Sequence, residues 1–321
     1  MPYRFEVDET LDVNLRRCSR EQLQGAIDRI TADLETDPVD TIHDARKAIK
    51  KERSLLRLAA AGLDPRDRKA ENGELRAIAH ELGGSREADA LVTALDDLAE
   101  RYAGQVPEQT VDVVRERLVA ERDLARGALL ASGMPEEVAE RLRGMVARVD
   151  DWHPADAGWP AIADGLARSY QRGRKAMRRA RKRPSSERMH EWRKRSKDVW
   201  YHLRLLKPLS PGILGGAAKD AHRLADALGG VHDLALLDDA IGRLEHTVPD
   251  DLEPLHGLIE HREEELRDEA FALGDRVFAE SPKRFCKRVE RYWRAWRSAF
   301  QASAEHNPVE LAEATRHPAV A

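Results

Sequence analysis

Apolar residues recur at three- and four-residue intervals along almost the whole chain, as expected for amphipathic helices that each bury one face. Proline, glycine and short polar clusters interrupt the pattern near Asp37-Pro38, Gly62 to Pro65, Gly83-Gly84, Gly104 to Pro107, Gly133 to Pro135, Pro154 to Pro160, Pro184 to Ser186, Pro208 to Gly216, Gly229-Gly230, Pro249 to Asp251 and Ser281-Pro282. These breaks predict about a dozen helices and an all-α fold. After Phe300 large apolar residues become sparse and two prolines appear, which predicts a disordered tail over 304–321.

The halves repeat each other. His43-Asp44-Ala45-Arg46-Lys47-Ala48-Ile49-Lys50 reappears as His190-Glu191-Trp192-Arg193-Lys194-Arg195-Ser196-Lys197 at an offset of 147, keeping the pattern HxxRKxxK. Leu82-Gly83-Gly84 reappears as Leu228-Gly229-Gly230 at an offset of 146. Next, Ser85-Arg86-Glu87 aligns with Val231-His232-Asp233, a basic residue followed by an acid suited to a helix start. The Leu-Gly-Gly turns are expected to close one helix in a left-handed cap and begin another. Two features in nearly one register point to an internal duplication, with one helical bundle over 1–153 and a related one over 154–303.

The repeated motif carries a basic stripe. Advancing 100° per residue from His43 puts Arg46, Lys47, Lys50, Ser54 and Arg57 within roughly 60° of it, with Ile49, Leu56 and Ala59 on the far side. In the second copy Arg193, Lys194, Lys197, Tyr201 and Arg204 share the face of His190, while Trp192, Val199, Leu203 and Leu206 lie opposite. Arg46–Lys50 and Arg193–Lys197 are like-charge pairs one turn apart, each costing on the order of 0.2–0.5 kcal/mol in a bare helix. Asp44 and Glu191 point away from the stripe, and Asp198 only borders it. Neutralisation within each helix is therefore poor, which favours an anionic ligand over an ordinary solvated face; acids on neighbouring helices are the alternative. The helix from Gly165 to Lys182 adds Arg174, Arg178 and Arg181 beside an inward stripe of Leu166, Tyr170, Gly173 and Met177. Gly173 would let another backbone approach closely.

Composition narrows the class. Of 321 residues, 41% are apolar, 5% aromatic and 35% charged, which suits long amphipathic helices and excludes an all-β fold. Lys and Arg total 54 against 58 Asp and Glu, so any basic site must be local. It is: residues 161–210 hold 16 Lys and Arg against 4 Asp and Glu. Cys18 and Cys286 stand far apart without metal-ligand spacing, which suits a reducing cytoplasm. No leader-like or membrane-spanning stretch occurs, so the sequence reads as a cytoplasmic protein.

In order and double occurrence these motifs resemble the CHAD family, the conserved histidine α-helical domain. The likeness runs from Leu15 to Leu23, through the two HxxRKxxK helices, Arg86-Glu87-Ala88-Asp89 and the basic helix from Gly165, to His232-Asp233. The resemblance implies two related bundles about a pseudo-twofold axis, with a basic groove or channel between them that binds inorganic polyphosphate. It implies a stand-alone binding module without cofactor or activity of its own, associated with polyphosphate granules. The expected binding residues are His43, Arg46, Lys47, Lys50, Arg57, His190, Arg193, Lys194, Lys197, Tyr201, Arg204, Arg174 and Arg178, with Arg16 and Arg20 supported by the resemblance alone. Glu87 stands where the family more often has Asp, and His232 where the second copy usually has an amide, so more weight falls on the stripes than on the residues after the glycines.

Two rival readings remain at this point. The same cations would bind the backbone of single-stranded RNA or DNA, but Trp192 and Trp200 fall on or beside the apolar face, and only Tyr201 on the stripe could serve as a stacking platform. His43-Asp44 and His232-Asp233 resemble a metal-dependent phosphohydrolase dipeptide, yet Asp44 points away from His43 on the helix and no Gly-Lys-Ser/Thr phosphate loop occurs. His222, His232, His246, His256 and His261 lack the recurrence of His43 and His190 and read as structural or surface residues. An electrostatic site predicts binding that weakens with salt and strengthens below pH of about 6.5 as histidines charge.

Overall fold

The computed structural model describes residues 3–34, 36–152, 158–244 and 251–306, and the regular structure among them is entirely helical. Eleven α-helices follow one another: α1 (Leu11–Ala32), α2 (Pro38–Leu58), α3 (Pro65–Glu81), α4 (Gly83–Arg101), α5 (Glu108–Ala131), α6 (Met134–Val149), α7 (Pro160–Lys182), α8 (Ser186–Leu206), α9 (Pro211–Leu244), α10 (Glu253–Val277) and α11 (Pro282–His306). Local chemistry explains several starts. Asp37 caps α2 by accepting from the Asp40 amide, with Pro38 in the first turn, and Asp64 and Ser185 cap α3 and α8 in the same way. Gly133, at φ 66°, makes the left-handed turn into α6 that a side chain would resist.

Buried apolar side chains form two clusters that do not divide at the middle of the chain. The smaller joins α1, α2, α3 and α6 around Ile27, Ile42, Ile49, Leu75 and Leu142. The larger joins α7 to α11 with Leu11 and Leu15 of α1, Leu55 and Leu58 of α2, and the inner faces of α4 and α5. The N-terminal segment closes this assembly. Phe5 N–H donates to Leu205 O of α8 at 3.0 Å. Arg297 of α11 donates to Val7 O and Glu9 O at 2.6 and 2.9 Å.

Several predicted breaks are overturned. Gly229 and Gly230 lie inside the uninterrupted helix α9, and Leu82, between α3 and α4, keeps right-handed dihedrals (φ −74°), so neither Leu-Gly-Gly makes a left-handed cap. Packing explains the glycines instead: a Cβ at Gly230 would meet Leu266 at 2.7 Å, and one at Gly229 would press on Arg193 at 3.4 Å. The break at Pro208 to Gly216 shrinks to a single 3-10 turn, Lys207–Leu209, before α9 begins. Gly173 accommodates the Phe278 ring rather than a backbone; the close backbone approach occurs at Gly165, against the Arg57 and Leu58 carbonyls. Helix α11 runs to His306, so the first three residues of the expected tail are helical; 307–321, the bundle boundary at 153/154 and the Pro249 break lie outside the described residues.

Candidate functional site

Helices α2 and α8 bring the two HxxRKxxK motifs together. Toward their C-terminal turns they touch directly: Ser54 hydroxyl donates to Asp198 O at 3.3 Å, His202 Nε2 lies 2.9 Å from Ser54 O, and Arg57 donates to the Asp198 carboxylate at 3.0 Å. Ser54, His202 and Asp198 are buried, so this crossing is a fixed joint.

One turn back from Ser54 on α2, and at the residue just before Asp198 on α8, cations meet without such partners. Lys50 and Lys197 are half-buried and, among the described residues, neither has a hydrogen bond or ion pair. Burial, then repulsion from Lys197, Arg46, Arg193 and Arg86, lowers the Lys50 ammonium to about 7. Lys197 falls to about 8, through burial and Arg193, partly offset by the more distant Asp226 and Asp233. Arg46 donates to Ala79 O and Arg193 faces Asp233 at 3.7 Å, yet the Nε of each arginine is buried and unpartnered. An orphaned buried donor is costly. Arg68 and Arg126 carry similar orphans elsewhere, but here the two orphaned guanidinium nitrogens lie in a cluster of one sign.

Helices α4 and α9 complete the cluster with residues the sequence had not assigned to it. Arg86 Nε donates to His43 Nδ1 at 3.1 Å, which keeps His43 neutral with its proton on Nε2. The rings of His190 and His232 lie 4.2 Å apart, and His190 Nδ1 is a third buried orphan. Burial, with repulsion from His232 for one and from Arg193 for the other, pushes both imidazoles down to about 4. Burial and Arg86 also lower His43, although an edge of its ring reaches solvent. The histidines are therefore neutral near pH 7, and the pH response expected below 6.5 moves to the lysines. The register after the glycines was the available signal for Arg86 and His232. Gly83 and Gly229 themselves lie against the Arg46 and Arg193 guanidiniums.

Other expected residues are spent elsewhere. Arg57 is committed to Asp198. Tyr201 is 3% exposed, stacked on Trp200 and edge-on to Tyr3, so it belongs to the core and not to an open face. Arg204 lies over the Trp200 ring at 5.5 Å. Lys47 and Lys194 are exposed and sit 3.6 Å from Asp44 and Glu191, so the acids expected to turn away reach the outer edge of each stripe. Arg16 binds Asp12 and Trp152 O, and Arg20 binds Asp150, both on the α1–α6 side. Arg174 donates to Phe278 O at 3.0 Å, and Arg178 is exposed on α7. Among the described residues no group of three or more His, Cys, Asp or Glu is placed to hold a metal ion, and no helix is long and apolar enough to cross a membrane.

No curated protein matches the chain. Among solved structures, the CHAD domain from the plant Ricinus communis aligns with a TM-score of 0.59 at 18% identity, over 87% of this chain and 96% of that one. PptA from Streptomyces chartreusis aligns with a TM-score of 0.53 at 16% identity, over 89% of this chain and all of that one. Both are likenesses of fold. The sequence profile of the CHAD domain matches residues 19–242, a span that includes both HxxRKxxK helices and both Leu-Gly-Gly segments. The chain belongs to the CHAD family.

Proposed function

We propose that this protein binds inorganic polyphosphate in the cationic cluster between α2 and α8, as a binding module without turnover. The observation that carries the reading is the half-buried meeting of Lys50 and Lys197, unneutralised by any ion pair and flanked by Arg46, Arg86 and Arg193. Polyphosphate carries about one negative charge per phosphate and has no bases, so it asks only for convergent donors. Arginine forks onto two oxygens, lysine supplies a mobile point charge, and neutral imidazoles donate without adding repulsion. The aromatic side chains argue against nucleic acid as the principal ligand. Trp192 is fully buried, and the half-buried Trp200 is already engaged by Tyr201, His222 and Arg204. Granule association and a cytoplasmic site of action accompany this reading as proposals.

Titration of end-labelled polyphosphate, in competition with single-stranded RNA of equal charge, tests it. The expected result is displacement by unlabelled polyphosphate at concentrations where RNA has no effect; preference for RNA would overturn the assignment. Incubation with polyphosphate and magnesium or manganese should release no phosphate, and sustained release would overturn the absence of turnover.

A further inference from the structure

Away from the α2–α8 cluster, many cations are matched by acids. Arg141 bridges Glu74 and Glu81, Arg148 holds Glu71, Arg115 holds Asp96 and Arg288 holds Glu280. The outer faces of α7 and α11 depart from this pattern. On α11, Lys283, Lys287 and Arg291 follow one another at four-residue intervals, and on α7 Arg172, Lys175 and Arg179 form a similar row; all six are exposed. Among the described residues none of the six has a side-chain hydrogen bond or ion pair. The nearest acids on the same helices are already engaged, Asp164 with Arg168 at 3.6 Å and Glu290 with Arg294 at 2.5 Å. Lys283–Lys287, Lys287–Arg291 and Lys175–Arg179 are like-charge neighbours one turn apart, an arrangement that disfavours the bare helix.

The two helices are packed against each other. Tyr170 stacks on Phe285 with centroids 4.2 Å apart, Trp159 meets Trp293 at 6.2 Å, and Cys286 Sγ donates to Ala163 O at 3.2 Å. Phe285, Val289 and Trp293 are core side chains, and Tyr292 and Trp296 pack half-buried against that core. The large exposed apolar residues, Val13, Leu124, Leu130 and Ile213, lie on other helices. The outer face therefore offers charge without a stacking platform for bases or an apolar wedge for a bilayer. A partner recognised by charge alone is a phosphate polymer.

We propose that the outer faces of α7 and α11 form a second polyphosphate-docking surface, engaging segments of a chain too long to be held by the α2–α8 cluster alone. The proposal rests on polyphosphate being the ligand of that cluster. Two separated contacts on one polymer raise the affinity for long chains by effective concentration, with no gain for short ones.

The test compares the wild type with a variant carrying Arg172→Glu, Lys175→Glu, Lys287→Glu and Arg291→Glu, all at exposed positions, with a fourfold Gln variant as control for folding. Labelled polyphosphate of about 10 and about 100 phosphates is titrated at several salt concentrations. The expected result is short-chain affinity unchanged within about twofold, long-chain affinity reduced at least about tenfold and a shallower salt dependence. Unchanged long-chain affinity, or equal losses for both lengths, would overturn the proposal. Loss of RNA binding without loss of long polyphosphate would also overturn it, by assigning the surface to nucleic acid. The parallel variant Lys50→Glu with Lys197→Glu keeps the two ideas apart: full short-chain binding by that variant would defeat the cluster assignment, whatever the outer face does.

Discussion

The two ends of the α2–α8 basic stripes began as one pattern and have opposite fates. At the crossing, Arg57 is latched to Asp198 and Ser54 is bonded to both Asp198 and His202, so polar groups there act as a joint. Lys50, one turn from Ser54, and Lys197, the residue before Asp198, meet with their charges unmatched. Helix periodicity fixes which face a residue occupies and leaves open how far along that face the neighbouring helix comes into contact. Where it makes contact, a cation acquires an acid and stabilises the fold. Where the helices leave room, the same residue type is disfavoured in the free protein and becomes available to a ligand.

The contrast can be broken most sharply at its open end. Lys50→Glu combined with Lys197→Glu should lower polyphosphate affinity by about a hundredfold or more, read by fluorescence anisotropy, because both central charges invert. The thermal midpoint should stay level or rise, since mutual repulsion is relieved. The opposite split is expected at the joint. Arg57→Ala should cost roughly 2–4 kcal/mol in chemical denaturation, as the largely buried Asp198 loses one of its two arginines, with affinity held within about twofold. An Arg57→Ala variant that loses binding and keeps stability would erase the distinction between the two ends.

Proton linkage gives a smaller effect with a definite sign. Lys50 at about 7 and Lys197 at about 8 are only partly charged near neutrality, and a bound polyanion favours their charged forms. Binding should therefore take up protons and weaken by roughly tenfold between pH of about 6 and about 9, seen in titration calorimetry in buffers of different ionisation enthalpy. The imidazoles act on the free protein instead. Their folded values of about 4 lie below the unfolded value, so the unfolded chain binds more protons and stability falls as pH drops from 6.5 through 4. Smallest of all, Gly229→Ala places a Cβ against Arg193 and should reduce affinity about threefold by shifting that guanidinium, with little change in stability.

Much of this architecture was legible from residue order. Capping residues such as Asp37, Asp64 and Ser185 mark helix starts where they were expected. The Leu-Gly-Gly segments misled because glycine is an ambiguous sign: it can free the backbone or clear space for a neighbour. At Gly229 and Gly230 the neighbour decides, and Arg193 and Leu266 occupy the cleared volume. The site was readable only within single helices. His43, Arg46 and Lys50 share a face by periodicity, whereas Arg86 and His232 join them through the packing of α4 and α9, which one-dimensional spacing does not encode. Tyr201 and Arg204 satisfied the same angular rule and went to the aromatic interior beside Tyr3 and Trp200.

Gly165 carries a consequence out of proportion to its size. Its missing side chain lets α7 rest directly on the last carbonyls of α2, those of Arg57 and Leu58, at the latch itself. That contact works as a spacer gauge: a single methyl group there would meet backbone at under 3 Å and lever α2 outward, shifting Lys50 relative to Lys197. The spacing of the two cationic helices thus depends on an absent atom on a helix that contributes none of the central charges.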